Sequence, residues 1–240
     1  LMSKQNVKIV AMADAFKDRL DECYKNVAGE LANAGPGTKG TLDVPEERKF
    51  VGFDGYLKAI PLADVVILAT PPGFRPIHFE EAVKQGKHIF MEKPVATDPA
   101  GVQRVLAAAK IAKQKKLNVV VGLQRHYQDS YRALFAKKDM IGDITSMQAW
   151  WNNDGVWTRP RKAGQTEMEY QMRNWYYFVW LCGDHITEQH IHNLDVINWF
   201  KKGYPVKAQG FGGREVRKSK EHGEIFDHHY VEFHYADGSI

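Results

Sequence analysis

Cysteine is nearly absent from this sequence. Its 240 residues hold two, Cys23 and Cys182, too few and too far apart for a disulfide framework, and neither sits in a Cys-x-x-Cys metal knuckle. Long apolar runs are lacking too: none approaches the ~18 residues that a helical membrane span needs. Neither charge sign dominates. Lys and Arg total 33 against 29 Asp and Glu, a formal charge of +4. The densest basic stretches, Lys113 to Lys116 and Arg214 to Lys220, read as solvated faces or loops. Nucleic acid and membrane are therefore not expected as partners. Internal repeats and low-complexity tracts are missing, as is a secretory leader. The opening LMSKQNVKIVAMAD reads as a helix tail running into a strand, and the closing HYADGSI stops as a turn begins. The sequence thus reads as truncated at both ends. A cytoplasmic setting is expected, with export as the alternative because a leader could precede this start.

What is present suffices for a substantial core, with 44% hydrophobic and 12% aromatic residues. The first half alternates strand and helix. Apolar strands are expected at Val7 to Ala13, Ala63 to Thr70, His88 to Met91 and Leu117 to Val121. Helices are expected at Phe16 to Leu31, Pro76 to Gln85 and Asp98 to Lys116, the last with Asp98 as N-cap and Pro99 in its first turn. Strands that are apolar throughout are expected to be buried on both faces of a parallel sheet with right-handed crossovers. After Gly122 the texture changes. Tryptophan and tyrosine become dense, alternating strands are expected at Ile144 to Trp151 and His229 to Tyr235, and 152–173 reads as irregular. A boundary near Leu123 separates a first domain (1–123) from an α+β domain (124–240) with an open, mainly antiparallel sheet.

A literal Gly-x-Gly-x-x-Gly occurs at Gly35, Gly37 and Gly40, but Pro36 stands inside it and no helix follows. Without a helix N-terminus to face a pyrophosphate it reads as a surface loop. Asp14, at the tip of the first strand, is the better cofactor signal. A carboxylate there can accept both hydroxyls of an adenosine ribose, or it can cap the helix that follows. Such an acid normally ends the second strand of a dinucleotide-binding unit, so the first strand and its glycine loop are expected upstream. It also repels a 2′-phosphate and favours NAD, while Lys17 and Arg19 keep NADP open. Ala69-Thr70-Pro71-Pro72 closes the next strand at the edge where open parallel sheets bind ligands.

Glu92-Lys93-Pro94 leaves the strand HIFM at that same edge. Partly desolvated, Lys93 would trade protons near neutrality; otherwise it is a surface lysine in a loop. The second piece is GDHITEQHIHNLDVINWF. Glu188, His192, Asp195 and Trp199 are spaced 4, 3 and 4, within about 60° of one helical face. Apolar Ile191, Leu194, Val196 and Ile197 flank that polar stripe, which suggests a buried helix turned toward a cleft, or else a satisfied polar network. A rival set, His185, Glu188 and His192, has the donors for iron or zinc, though a resident metal is not expected. His228 and His229, adjacent on a strand, point to opposite faces.

Together these residues resemble the Gfo/Idh/MocA oxidoreductases: an acid after the second strand (Asp14), the ATPP strand end, the EKP tripeptide at Glu92 to Pro94, and the HxxD-type helix. The resemblance runs over nearly the whole chain, without the family's glycine-rich start. It implies a Rossmann domain that lacks its first strand here, followed by an α/β domain whose open sheet makes homodimers or homotetramers. It implies NAD(P) contacts from Asp14, Ala69, Thr70, Pro71, Pro72, Glu92, Lys93 and Gln124, and a cis bond before Pro94. Lys93 and His192 become acid/base groups around a substrate hydroxyl or carbonyl, with Glu188 beside them where the family usually has Asp. Substrate contacts are implied for Asp195, Arg125, Tyr127 and Trp151 to Asn153. The implied function is NAD(P)-dependent hydride transfer at a CH–OH carbon of a sugar or polyol. Two alternatives are glycoside cleavage through transient oxidation and elimination, and non-catalytic sensing of NAD or sugar.

Overall fold

A computed structural model describes residues 6–240; the expected helix tail at the start lies outside the described residues. Two compact units divide the chain. One comprises the residues through Thr70 with Ile77–Met91 and Leu106–Val120, the other Pro71–Pro76, Glu92–Val105 and Val121–Ile240. A single cut near Leu123 follows the chain, whereas the contacts assign the segments after two strands to the second unit. The packing explains this. A Cβ on Gly73 would lie 2.4 Å from the Trp180 carbonyl oxygen, and Thr97 Oγ1 donates to that same oxygen at 3.2 Å.

In the first unit, β1 (Lys8–Ile9) and β2 (Met12–Asp14) split the expected first strand, because they serve different partners. After helix α1 (Lys17–Asn33), β3 (Thr41–Leu42) pairs with β1 and β4 (Lys49–Val51) with β2, both parallel. Helix α2 (Gly55–Ala59) leads to β5 (Val65–Leu68), helix α3 (Arg75–Lys84), β6 (His88–Met91), helix α4 (Pro99–Gln114) and β7 (Val119–Val121), of which Arg75–Pro76, Pro99–Val105 and Val121 belong to the second unit. Strand order is β5-β6-β7, with β5 and β6 parallel. Asp98 does cap α4: its Oδ1 accepts the Gly101 N–H at 2.8 Å. Leu20, Ile60, Leu68, Phe79, Val83 and Ile89 form the core.

Burial of β5 on both faces does not hold. Val66 and Leu68 are buried, but Val65 and Ile67 are 57% and 65% exposed. One face packs into the core, and no described element covers the other.

The second unit continues with α5 (Asp129–Ala136), α6 (Glu167–Arg173), α7 (Val179–Cys182), a π-helical turn at Ile186–His190 and α8 (Ile191–Lys201). Strands β8 (Lys207–Gly213) and β9 (His228–His234) form an antiparallel pair. Two expectations are corrected. Ile144 to Trp151 is no strand; its pairing is two backbone bonds, Met147 N–H to the Ile240 carbonyl and Ile240 N–H to that of Thr145, too few for a ladder. Residues 152–173 are not irregular throughout, because Thr166 Oγ1 accepts the Glu169 N–H and starts α6. Buried Asn174 ties this region together, accepting the Arg159 N–H and donating to the Glu221 carbonyl, each at 2.8 Å.

Candidate active site

The chain leaves β6 through Glu92 and enters a cis Lys93–Pro94 bond. Arg75, 2% exposed, donates to the Pro94 carbonyl at 2.5 Å and so fixes this turn. Gly122 lets the Glu92 carboxylate approach closely: a Cβ there would lie 2.4 Å from it and push the side chain aside. From the turn Lys93 reaches Glu188. Its Nζ donates to Oε1 at 2.9 Å and to the Glu188 carbonyl at 2.5 Å. Both side chains are about nine-tenths buried.

Glu188 is presented by unusual backbone. Gly183 ends α7 in the left-handed region, and Asp184 follows there too, with φ 65°. Next comes the π turn, a device that often marks functional sites. His192 sits just after it, 6% exposed, in the first turn of α8. The residues expected to share one helical face meet different neighbours. Glu188 and His192 stay buried, while Asp195 places Oδ2 2.8 Å from His126 Nε2 and Trp199 stacks on His126. Asp195 thus meets His126, while the same Oδ2 makes no hydrogen bond among the described residues and can still accept one from a ligand.

Burial pushes the Glu188 carboxyl up, against the opposing pull of Lys93 and Arg75. Burial, then the charges of Lys93 and Arg125, depress His192 to about 4. That coupling brings Lys93, Glu188 and His192 into one electrostatic site. At neutral pH the imidazole is uncharged and able to accept a proton. Glu188 Oε2, His192 Nδ1 and Trp151 Nε1 are buried without a hydrogen-bond partner among the described residues. Unmet buried groups are destabilising; clustered here, they fit a ligand that offers several hydroxyls. Trp151 supplies a wall, stacked on His192 at 5.8 Å.

The remaining expected contacts fall around this trio unevenly. Arg125 lies over the Trp151 ring at 5.7 Å and hydrogen-bonds Asn193. Asn153 lines a pocket of about 260 Å³ with Trp151, Asn152 and Tyr176. Tyr127 is 65% exposed and Gln124 is exposed. His185, Glu188 and His192 do not gather as a metal set; among the described residues the group that does is Asp184, His185 and His229. Sequence reasoning missed Arg75, which no spacing rule flags, and His78.

On the nucleotide side, Asp14 ends β2 and its Oδ1 accepts the Phe16 N–H at 2.8 Å. Phe16, not Asp14, is the N-cap of α1. Ala69 is exposed just past β5, and Thr70 Oγ1 lies 3.1 Å from His78 Nδ1. Pro71 and Pro72 open a 3-10 turn in the second unit. A carboxylate and a hydroxyl at the carboxyl ends of parallel strands are donors and acceptors suited to ribose hydroxyls.

Residues 2–123 match the family profile described as an oxidoreductase family with an NAD-binding Rossmann fold. The chain belongs to the Gfo/Idh/MocA family. Its cofactor class is accordingly NAD, and its first half is a Rossmann-type domain of this family. Among curated relatives, an inositol 2-dehydrogenase of Gluconacetobacter diazotrophicus is 30% identical over 69% of this chain and 43% of its own length. That of Serratia proteamaculans is 26% identical over 98% of this chain and 65% of its own. The chain thus spans less than two thirds of these Gfo/Idh/MocA relatives. The fold matches myo-inositol 2-dehydrogenase from Lactobacillus plantarum with TM-score 0.65 and 24% identity, covering 98% of this chain and 61% of that one. It also matches scyllo-inositol dehydrogenase from Lactobacillus casei with bound NAD(H) and scyllo-inositol, TM-score 0.63 and 21% identity, over 96% of this chain and 59% of that one.

Proposed function

We propose that this Gfo/Idh/MocA protein is an NAD-dependent dehydrogenase or reductase acting at a CH–OH carbon of a cyclic polyol or sugar. The observation that carries this reading is the buried Lys93–Glu188 contact beside a neutral His192. NAD, when bound, supplies the hydride acceptor or donor. His192 takes the hydroxyl proton on oxidation and returns it on reduction. Lys93, a buried cation, stabilises negative charge that develops on the same oxygen. Glu188 holds the ammonium in place, and its free Oε2 accepts a second hydroxyl. Arg125, Tyr127, Asn153 and Asp195 are assigned to the rest of the substrate, and Pro71, Pro72, Glu92 and Gln124 to the cofactor. Inositol dehydrogenases among the relatives point to an inositol-like substrate.

Self-association through β8–β9 is proposed as well, and a cytoplasmic setting accords with the two unpaired thiols. No helix among the described residues is long and apolar enough to cross a membrane. The decisive experiment is NADH formation with myo-inositol by the unaltered protein and by Lys93→Met. The variant should lose about 10²–10⁴ in turnover with its fold intact by circular dichroism. A variant as fast as the parent ends the assignment.

A further inference from the structure

A histidine cluster stands apart from the Lys93–Glu188–His192 trio. Asp184, His185 and His229 bring ligand atoms to within 4.8 Å of one another. The rings of His185 and His229 are 4.4 Å apart, and His190 lies 5.0 Å from His185 and 6.1 Å from His229. These groups come from two places in the chain: the run 184–190 into and through the π turn, and β9. Convergence from distant sequence is not a by-product of one helix face.

Two further observations mark the cluster as built. The Nε2 atoms of His185 and His190 are buried without a hydrogen-bond partner among the described residues. Asp184 takes the left-handed region at φ 65°, which Asp adopts more readily than most residues, just after Gly183 ends α7. Its Oδ1 accepts the His185 N–H at 2.6 Å and its Oδ2 that of Phe226 at 3.0 Å, so the carboxylate is oriented from both sides. His229 Nε2 sits 3.4 Å from Asp184 Oδ1. The cluster borders the same pocket as Asn152 and Asn153.

We propose that Asp184, His185 and His229, with His190 as fourth ligand, hold a divalent transition-metal ion of the zinc class. Imidazole and carboxylate donors suit such ions. Around a tetrahedral ion with bonds of about 2.1 Å, donor atoms stand about 3.4 Å apart. For Asp184, His185 and His229 the observed spread closes with movements of under about one ångström each, and His190 completes the set by a larger ring movement. Arg217 also lines the pocket; its charge disfavours a cation, and the Asp184 carboxylate offsets it. The site extends beyond the proposed dehydrogenase chemistry and needs neither NAD nor substrate to be read.

The experiment uses the full chain, freed of metal by chelation and then given Zn²⁺ or Co²⁺ alone. Elemental analysis after desalting should find about one zinc per chain, and the cobalt form should show the intense visible absorption of a tetrahedral site. The double variant His185→Asn with His229→Asn should lose zinc affinity at least about tenfold. The control His228→Asn, whose ring pairs with Asp227 instead, should keep it. Zinc well below one equivalent, an octahedral cobalt spectrum in the unaltered protein, or undiminished binding by the double variant overturns the proposal. The cobalt reading keeps the test decisive if the double variant fails to fold. None of these outcomes touches the activity assay, so the two readings fail separately.

Discussion

At the scale of single residues, charge placement around His192 decides what the site can do. The ring is buried and faces two cations, Lys93 and Arg125, and so titrates near 4 against an ordinary value of 6.5. The acid limb of kcat/KM reports the free enzyme's essential base. Protonation of the imidazole therefore removes activity below about pH 4, and Glu188, its carboxyl pushed above the ordinary value, protonates first and adds an earlier loss. The sign fixes a second expectation. Arg125→Gln removes one positive neighbour, makes the imidazolium easier to form and moves that limb upward, by up to about one pH unit. Below the new limb the variant loses rate; well above it the acid limb no longer separates it from the parent. A pH profile of NAD reduction checks this. A limb that stays put would mean that Arg125 does not act electrostatically on the ring.

At the scale of elements, local signals were legible where one short motif sufficed. Asp98-Pro99 announced α4, and HIFM announced β6. Thr166-Glu167-Met168-Glu169 carries the Ser/Thr-x-x-Glu pattern of a capping box, yet the surrounding loop residues masked it. Thr166→Ala should destabilise the protein by about 1 kcal/mol in denaturant unfolding. An unchanged midpoint would show that packing of Tyr170 and Met172 alone holds α6. The segment around Glu188 resisted reading for a different reason. Spacing rules assume 3.6 residues per turn, and the π turn at 186–190 violates that assumption. The split between Glu188 and His192, near Lys93, and Asp195 and Trp199, near His126, falls within regular helix α8 and follows from which neighbours each side chain meets. Strand β8 was missed because Gly210, Gly212 and Gly213 erase its alternation. They are there for close approach: a Cβ on Gly210 would lie 2.6 Å from the Tyr230 carbonyl oxygen.

At the scale of the whole molecule, the β8–β9 pair leaves apolar surface uncovered. Phe211 and Tyr230 face each other across the register, stack at 5.3 Å, and are 70% and 56% exposed. Val206 and Tyr204 add 69% and 83% exposure at the edge of the same hairpin. A two-stranded ribbon is marginal alone, and a stacked pair of exposed rings such as Phe211 and Tyr230 is suited to an interaction site. A second copy of the chain would cover both rings with the same rings, as a two-fold interface requires. Burying a Phe or Tyr ring is worth about 2 kcal/mol, and symmetry doubles every contact. Phe211→Asp places a charge in that contact twice over. Light scattering should give a multiple of the single-chain mass for the parent and a shift toward one chain for the variant, while the antiparallel pairing within the chain persists. A parent protein that runs as a single chain at concentrations well above micromolar would remove β8–β9 as the association surface.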